Sequence, residues 1–229
     1  MDRNVREALR QLLHVSGIVF LYPILRYEYI DALQILAFFV ALTYFTDWYF
    51  TNRKVRLPHL KKVFKEAGLN KDQRKTLMDI FGKFTELEER FMNLFIRSLQ
   101  RKAERPFEPM FKYFLGVFLT LALFGREIAA LALIALAVGD SIATIIGKDF
   151  GKHKIFYSVN KTWEGFFAFL IAAFLAEYYF LSIFGFFEPL YYALFIAIGG
   201  ALLESIPYAN DNATIPVGIG LFLKLVGFI

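Results

Sequence analysis

Between Gly139 and Gly165 the chain carries three carboxylates (Asp140, Asp149, Glu164), four lysines (Lys148, Lys152, Lys154, Lys161) and four glycines. The stretch begins where one apolar run ends and finishes where the next begins. Lysines are mobile point charges for phosphate. Glycines let a backbone approach a ligand closely, and carboxylates suit hard divalent cations. Together they suit a phosphate-bearing anion at the edge of a membrane. Asn160-Lys161-Thr162-Trp163-Glu164-Gly165 predicts a helix start. Asn160 or Thr162 can cap it, its free N–H groups favour an anion, and Lys161 adds charge. Glu164 is expected to hold Mg²⁺ or to orient Lys161. The plainer alternative is a capped helix with Trp163 as an interfacial anchor.

A second constellation is Glu204 with Asn210-Asp211-Asn212 and Pro216. Acidic and amide oxygens in a short turn are Mg²⁺ ligands, although Asp and Asn are also ordinary turn formers. Asp140 and Asp211, from separate spans, can jointly hold a metal-bound triphosphate. Gly139, Ala143, Gly147 and Gly151 recur every four residues and so line one helix face. Close helix packing through small residues explains Ala143 and Gly147. Approach of a backbone to phosphate suits Gly151.

These residues need a bilayer to position them. Of the 229 residues 57% are hydrophobic, above the roughly 45–50% of soluble domains. There are no cysteines, which excludes disulfides, thiolate metal sites and a cysteine nucleophile. The charged start, with no long apolar core after it, argues against a cleaved signal peptide. Apolar runs near 11–25, 32–50, 109–125, 128–147, 163–186, 188–206 and 213–229 predict seven crossings, with six or eight as alternatives. The expected fold is an all-α polytopic transmembrane helical bundle. Its parts are two N-terminal helices (1–50), a cytoplasmic amphipathic helical hairpin (51–108) and a catalytic transmembrane domain (109–229). The insert holds 15 of the 26 basic residues, so the positive-inside rule puts it in the cytoplasm. The N-terminus, the 148–161 loop and the 207–212 turn follow it there, and the C-terminus lies outside. In that topology His14, Asp47, Asp140, Glu164, Glu204 and Asp211 all sit near cytoplasmic span ends. Any one of them can be snorkelling to water; six at one depth point to a site. Glu177 lies deeper, either paired in the core or touching a lipid hydroxyl.

The order G-D-x-x-A-x-x-x-G-x-x-x-G, K-T-x-E-G and E-x-x-x-x-x-x-D-N-x-x-x-P resembles the CTP-dependent lipid kinases, which include dolichol, diacylglycerol and phytol kinases. The matching residues are Gly139, Asp140, Ala143, Gly147 and Gly151; Lys161, Thr162, Glu164 and Gly165; and Glu204, Asp211, Asn212 and Pro216. Arg6-Glu7-x-x-Arg10-x-x-x-His14 resembles the family's N-terminal motif, with Gln11 in place of its lysine. Phe166 stands where a serine is usual, and residues 51–100 match nothing in it. Phosphatidate cytidylyltransferases share the glycine run and K-T-W-E-G, but their later basic and acidic signatures are missing here. The kinase resemblance implies CTP as donor, a divalent cation such as Mg²⁺, and a membrane lipid alcohol as acceptor: dolichol or polyprenol first, diacylglycerol or phytol otherwise. Asp140 and Asp211 would bind the metal, supported by Asn212 and Glu204. Lys161 with Lys148, Lys152 or Lys154 would bind phosphates, with Thr162 and Gly165 beside them. Arg10 and His14 would support the substrate. Asp140 or Glu164 would take the hydroxyl proton. The expected partners are the bilayer, CTP and the lipid, with no nucleic acid; the site would face the cytoplasm from the plasma membrane or endoplasmic reticulum. Cytidylyl transfer to phosphatidate and a non-enzymatic lipid-binding or transport protein are the alternative readings, the latter using the lysine loop for anionic headgroups.

Overall fold

The most apolar helix of the chain is also its most sheltered one. In the computed structural model, which describes residues 3–52, 62–63, 66–92, 105–158, 160–207 and 210–228, Arg126–Asp149 runs through the centre of the bundle. Some 78% of its most apolar window is buried, against 11–22% for the other long apolar helices. Helices of the bundle surround most of it, so most of its length needs no polar face. Its small residues, with Ala129, Ala130 and Ala132 at zero exposure, let neighbours pack close.

In chain order the helices are α1 (Arg3–Ser16), a 3₁₀ segment (Gly17–Phe20), α2 (Leu21–Arg26), α3 (Tyr29–Thr51) and α4 (Lys71–Phe91). They continue with α5 (Glu108–Phe124), α6 (Arg126–Ile134), a π-helical segment (Ala135–Asp140), α7 (Ser141–Asp149), α8 (Trp163–Ile183), α9 (Pro189–Ser205) and α10 (Asp211–Leu225). Among the described residues the only extended pairing is an isolated antiparallel bridge between Lys154 and Thr162. Four helical stretches are long and apolar enough to cross a bilayer: Glu7–Arg26, Tyr29–Thr51, Arg126–Asp149 and Trp163–Ile183. The helices α5, α9 and α10 coincide with the other expected spans but have only 17, 17 and 15 residues, short of the about 20 that a perpendicular crossing needs.

Several boundaries move from their expected places. The expected first span is one run of α-helix; it is continuous but tightens to 3₁₀ geometry at Gly17–Phe20. Gly17 packs against the Tyr113 hydroxyl there, with no room for a Cβ. The expected break at Arg126 and Glu127 falls instead at Gly125, whose φ of +90° no other residue adopts easily. Asp211 and Asn212 were expected in a turn but occupy the first turn of α10, after Asn210 as N-cap. An acidic residue there is favoured by the helix dipole. Gly151 was expected on the helix face of Gly139, Ala143 and Gly147, but the helix ends at Asp149. Of the 51–108 insert, the expected first helix lies almost wholly outside the described residues. The second begins at an Asn70–Gln73 capping box and leaves Ile80, Phe84 and Leu87 exposed along α4.

Close packing decides where the site-bearing segments stand. The buried Phe169 ring of α8 is wedged between Gly139 and Gly200. A Cβ on Gly139 would lie 2.8 Å from that ring, and one on Gly200 2.5 Å. On the same helix, α7 crosses the start of α8 through Gly147 and Gly165. A Cβ on Gly165 would come 3.2 Å from the Ala143 carbonyl oxygen and 3.4 Å from the Gly147 Cα.

Candidate active site

Four chain segments end at one level of this bundle. Asp140 closes the π-helical segment, Glu204 is the penultimate residue of α9, Asp211 opens α10, and Lys161 precedes the cap of α8. Asp140, Glu204 and Asp211 each bring a carboxylate oxygen to within 4.8 Å of the others. π-Helical turns recur at functional sites, and here one sets the direction in which the central helix presents Asp140. Thr162 caps α8 by accepting a hydrogen bond from the Gly165 N–H at 3.2 Å, which fixes Lys161 just outside the first turn. The Lys161 ammonium donates to Glu204 Oε1 at 2.7 Å and to Asp211 Oδ2 at 2.8 Å. Burial alone would lower its pKa; the charges of Asp211 and Glu204 outweigh that and hold it above the ordinary 10.5. Glu204 Oε2 is buried without a hydrogen-bond partner.

The N-terminal helix closes the site from the other side. Asn212 Nδ2 donates to the Pro109 carbonyl at 3.0 Å, so its Oδ1 is the atom that faces His14 Nε2 at 2.9 Å. A neutral His14 therefore carries its proton on Nε2 and accepts the Ser141 hydroxyl at Nδ1, 3.3 Å away. The same Nε2 lies 3.7 Å from Asp140 Oδ2. Pro216 has no N–H to offer the Asn212 carbonyl one turn back. That carbonyl instead packs on Gly116, where a Cβ would come within 2.5 Å of it. The D-N-x-x-x-P spacing thus shapes a close crossing of α5 and α10. Lys148 of α7 pairs with Glu7 of α1 at 2.6 Å, and Gln11 donates to Glu7 at 3.1 Å.

Beside the carboxylates lies a cavity of about 430 Å³, within the roughly 300–1,000 Å³ usual for small-molecule sites. Along the N-terminal helix its lining turns from Arg10 and His14 to Gly17, Val19 and Phe20. The Tyr113 hydroxyl is buried without a partner, and its ring meets His14 edge-on at 4.9 Å.

Of the residues expected from the sequence, His14, Asp140, Lys161, Glu204, Asp211 and Asn212 meet here, and Arg10 lines the cavity. Asp47 does not join them: it accepts from the Phe107 N–H at 3.2 Å and pairs with Arg105 at 3.3 Å. Nor does Glu164 reach Lys161. It turns back on the loop, accepting the His153 N–H at 3.2 Å and meeting His153 Nδ1 at 2.6 Å. Lys152 and Lys154 stand exposed on that loop. Gly139, Gly147 and Gly165 face side chains and backbone of neighbouring helices, and Gly151 abuts Gly147 and Thr162. Close packing accounts for all four. Glu177 is wholly buried in α8 with no hydrogen-bond partner on its carboxyl. Sequence reading missed Ser141, Tyr113 and Gly116. Ser141 directly follows Asp140, and Tyr113 is a hydroxyl inside an apolar run, so both left a trace in the sequence.

The chain matches the Cytidylyltransferase family over residues 4–228. Among curated proteins it is 37% identical to phytol kinase of Synechocystis over 97 residues, 41% of this chain and 42% of that one. It is 39% identical to dolichol kinase of Schizosaccharomyces pombe over 89 residues (37% and 17%), and 37% identical to chloroplastic farnesol kinase of Arabidopsis thaliana over 113 residues (44% and 35%). The matches thus span less than half the length of each relative. No solved structure matches the chain.

Proposed function

The chain belongs to the cytidylyltransferase family, and from that premise we propose that it transfers the γ-phosphoryl group of CTP to the hydroxyl of an isoprenoid membrane alcohol. The observation that carries this reading is the meeting of Asp140, Glu204, Asp211 and Lys161 beside a cavity whose lining turns apolar. Such a place suits a charged nucleotide on one side and a lipid on the other. Phytol, farnesol and dolichol, after which the three relatives are named, are all isoprenoid alcohols; this favours a polyprenol, dolichol or phytol over diacylglycerol. The site faces the cytoplasm, where the basic loops belong.

The donor set fits Mg²⁺. Three carboxylates come from three helices, and Glu204 Oε2 is a buried oxygen without a hydrogen-bond partner. Asp140 and Asp211 would be its ligands, with Glu204 and Asn212 in support; the bound ion would neutralise triphosphate charge. Lys161, already aimed into the cluster, holds phosphate oxygens. The acceptor hydroxyl gives its proton to Asp140, whose Oδ2 lies 3.7 Å from His14 Nε2. The alcohol oxygen then bonds the γ-phosphorus, the bond from that phosphorus to the β–γ bridging oxygen breaks, and CDP leaves. Glu164, the other candidate proton acceptor, is engaged with His153.

Cytidylyl transfer to phosphatidate is the second reading, favoured by the family's own description. The two separate in one experiment with purified protein in detergent. Label from γ-labelled CTP should move to a polyprenol. Label arriving only from the α-position, with pyrophosphate released, would replace the kinase reading by the transferase.

A further inference from the structure

We propose that the acceptor's hydrocarbon chain passes from the candidate site along the 3₁₀ segment into a second cavity beyond Val19, so that the protein selects its alcohol by chain length. The inference rests on the lipid-kinase reading and adds the path of the tail.

The second cavity, of about 860 Å³, lies between α2, the start of α6 and the end of α8. Its lining is mostly aliphatic and aromatic, including Leu21, Leu25, Ala130, Phe180 and Phe184. Its charged groups, Arg26, Arg126 and Glu127, stand where α2 ends and α6 begins. Asp140 lies on the same continuous helix as Arg126, about 21 Å along it at 1.5 Å per residue. The charged rim and the carboxylate cluster are therefore at opposite ends of the bundle, and the apolar lining lies between them.

Val19 borders both cavities. It belongs to the segment Gly17–Phe20, where the helix narrows to 3₁₀ geometry and Gly17 sinks against Tyr113. The 3₁₀ turn in the N-terminal span is thus where one cavity gives way to the other. An alcohol with its hydroxyl at Asp140 meets polar groups first, then Val19 and Phe20, then an apolar chamber that penalises anything polar. A chain too short to pass Val19 gains nothing from that chamber. A longer one exchanges contacts with lipid tails for packing against the aliphatic and aromatic lining.

Val19→Trp tests this. Val19 is 65% exposed, so an indole there leaves the core intact while filling the passage. The unaltered protein and the variant are compared with CTP and prenyl alcohols of ten, twenty and more than fifty carbons. Relative to the shortest alcohol, kcat/KM for the two longer ones should fall roughly a further tenfold or more, about 1.4 kcal/mol of lost tail packing. An equal fall at every length, or none at any length, overturns the proposal. A twenty-carbon alcohol with a terminal diazirine gives a reading independent of turnover. Its crosslinks should fall on Leu21–Arg26 or on residues 180–186; crosslinks elsewhere, or none, overturn the path. If the unaltered protein phosphorylates no alcohol of any length, the kinase reading fails, and the crosslinks still decide where the tail lies.

Discussion

The ammonium of Lys161 stays charged because the buried Glu204 and the half-buried Asp211 outweigh the cost of taking it out of water. Removing it strands them. Lys161→Met should abolish transfer and also destabilise the protein by about 3–5 kcal/mol, the cost of breaking a buried ion pair, as measured by unfolding in detergent. Adding Glu204→Gln should recover part of the stability and none of the activity. The pH dependence has a definite sign. A raised lysine pKa means that the ion pairs' contribution is present throughout the neutral range and is lost only as pH climbs through the folded-state value, above the ordinary 10.5. A pH–rate profile should therefore show no Lys161 limb below that value. Asp140→Asn and Asp211→Asn should each stop turnover, measured with γ-labelled CTP; Asp140→Asn should leave the unfolding midpoint near that of the unaltered protein, whereas Asp211→Asn should lower it, because it removes one of the two charges that face Lys161. An active Asp211→Asn variant would remove that residue from the metal site.

At the scale of elements, most of the architecture was legible and the facing of individual side chains was not. Hydropathy located α3, α8 and α9 to within a few residues, because an apolar run of helical length has few other fates. It also gave the depth of the polar residues, since depth follows from distance to a span end. Depth carries no azimuth, however. Asp47 sits at the expected level yet turns to the chain around Phe107, and Glu164 turns to His153. The 3₁₀ turn was not legible because it packs on Tyr113, nearly a hundred residues away in sequence. Glycine spacing marked close contact without saying with what. The packing of neighbouring helices supplies the answer for Gly147 and Gly165, and it makes a prediction for Gly116, which the sequence did not single out. Gly116→Ala should push the Asn212 carbonyl away and cost about 1–3 kcal/mol as overpacking does. It should also lower kcat/KM, because Asn212 fixes His14. Unchanged kinetics in a folded Gly116→Ala variant would detach Asn212 from the chemistry.

For the molecule as a whole the open quantity is its orientation in the bilayer. A chain without cysteines lends itself to single-cysteine labelling from either side. Lys154→Cys on the basic loop should react only with reagent on the cytoplasmic face. Phe187→Cys, 81% exposed at the turn between α8 and α9, should react only from outside. The reverse pattern would put the nucleotide site on a face where no CTP pool is expected. The wedge of Phe169 between Gly139 and Gly200 bears on how such a site could open. It clamps the turn that holds Asp140 to the helix that holds Glu204 and so fixes the spacing of those two carboxylates. On the proposed function a nucleotide would therefore enter on the other side, where the single hydrogen bond between His14 and Asn212 can part and re-form without disturbing the clamp.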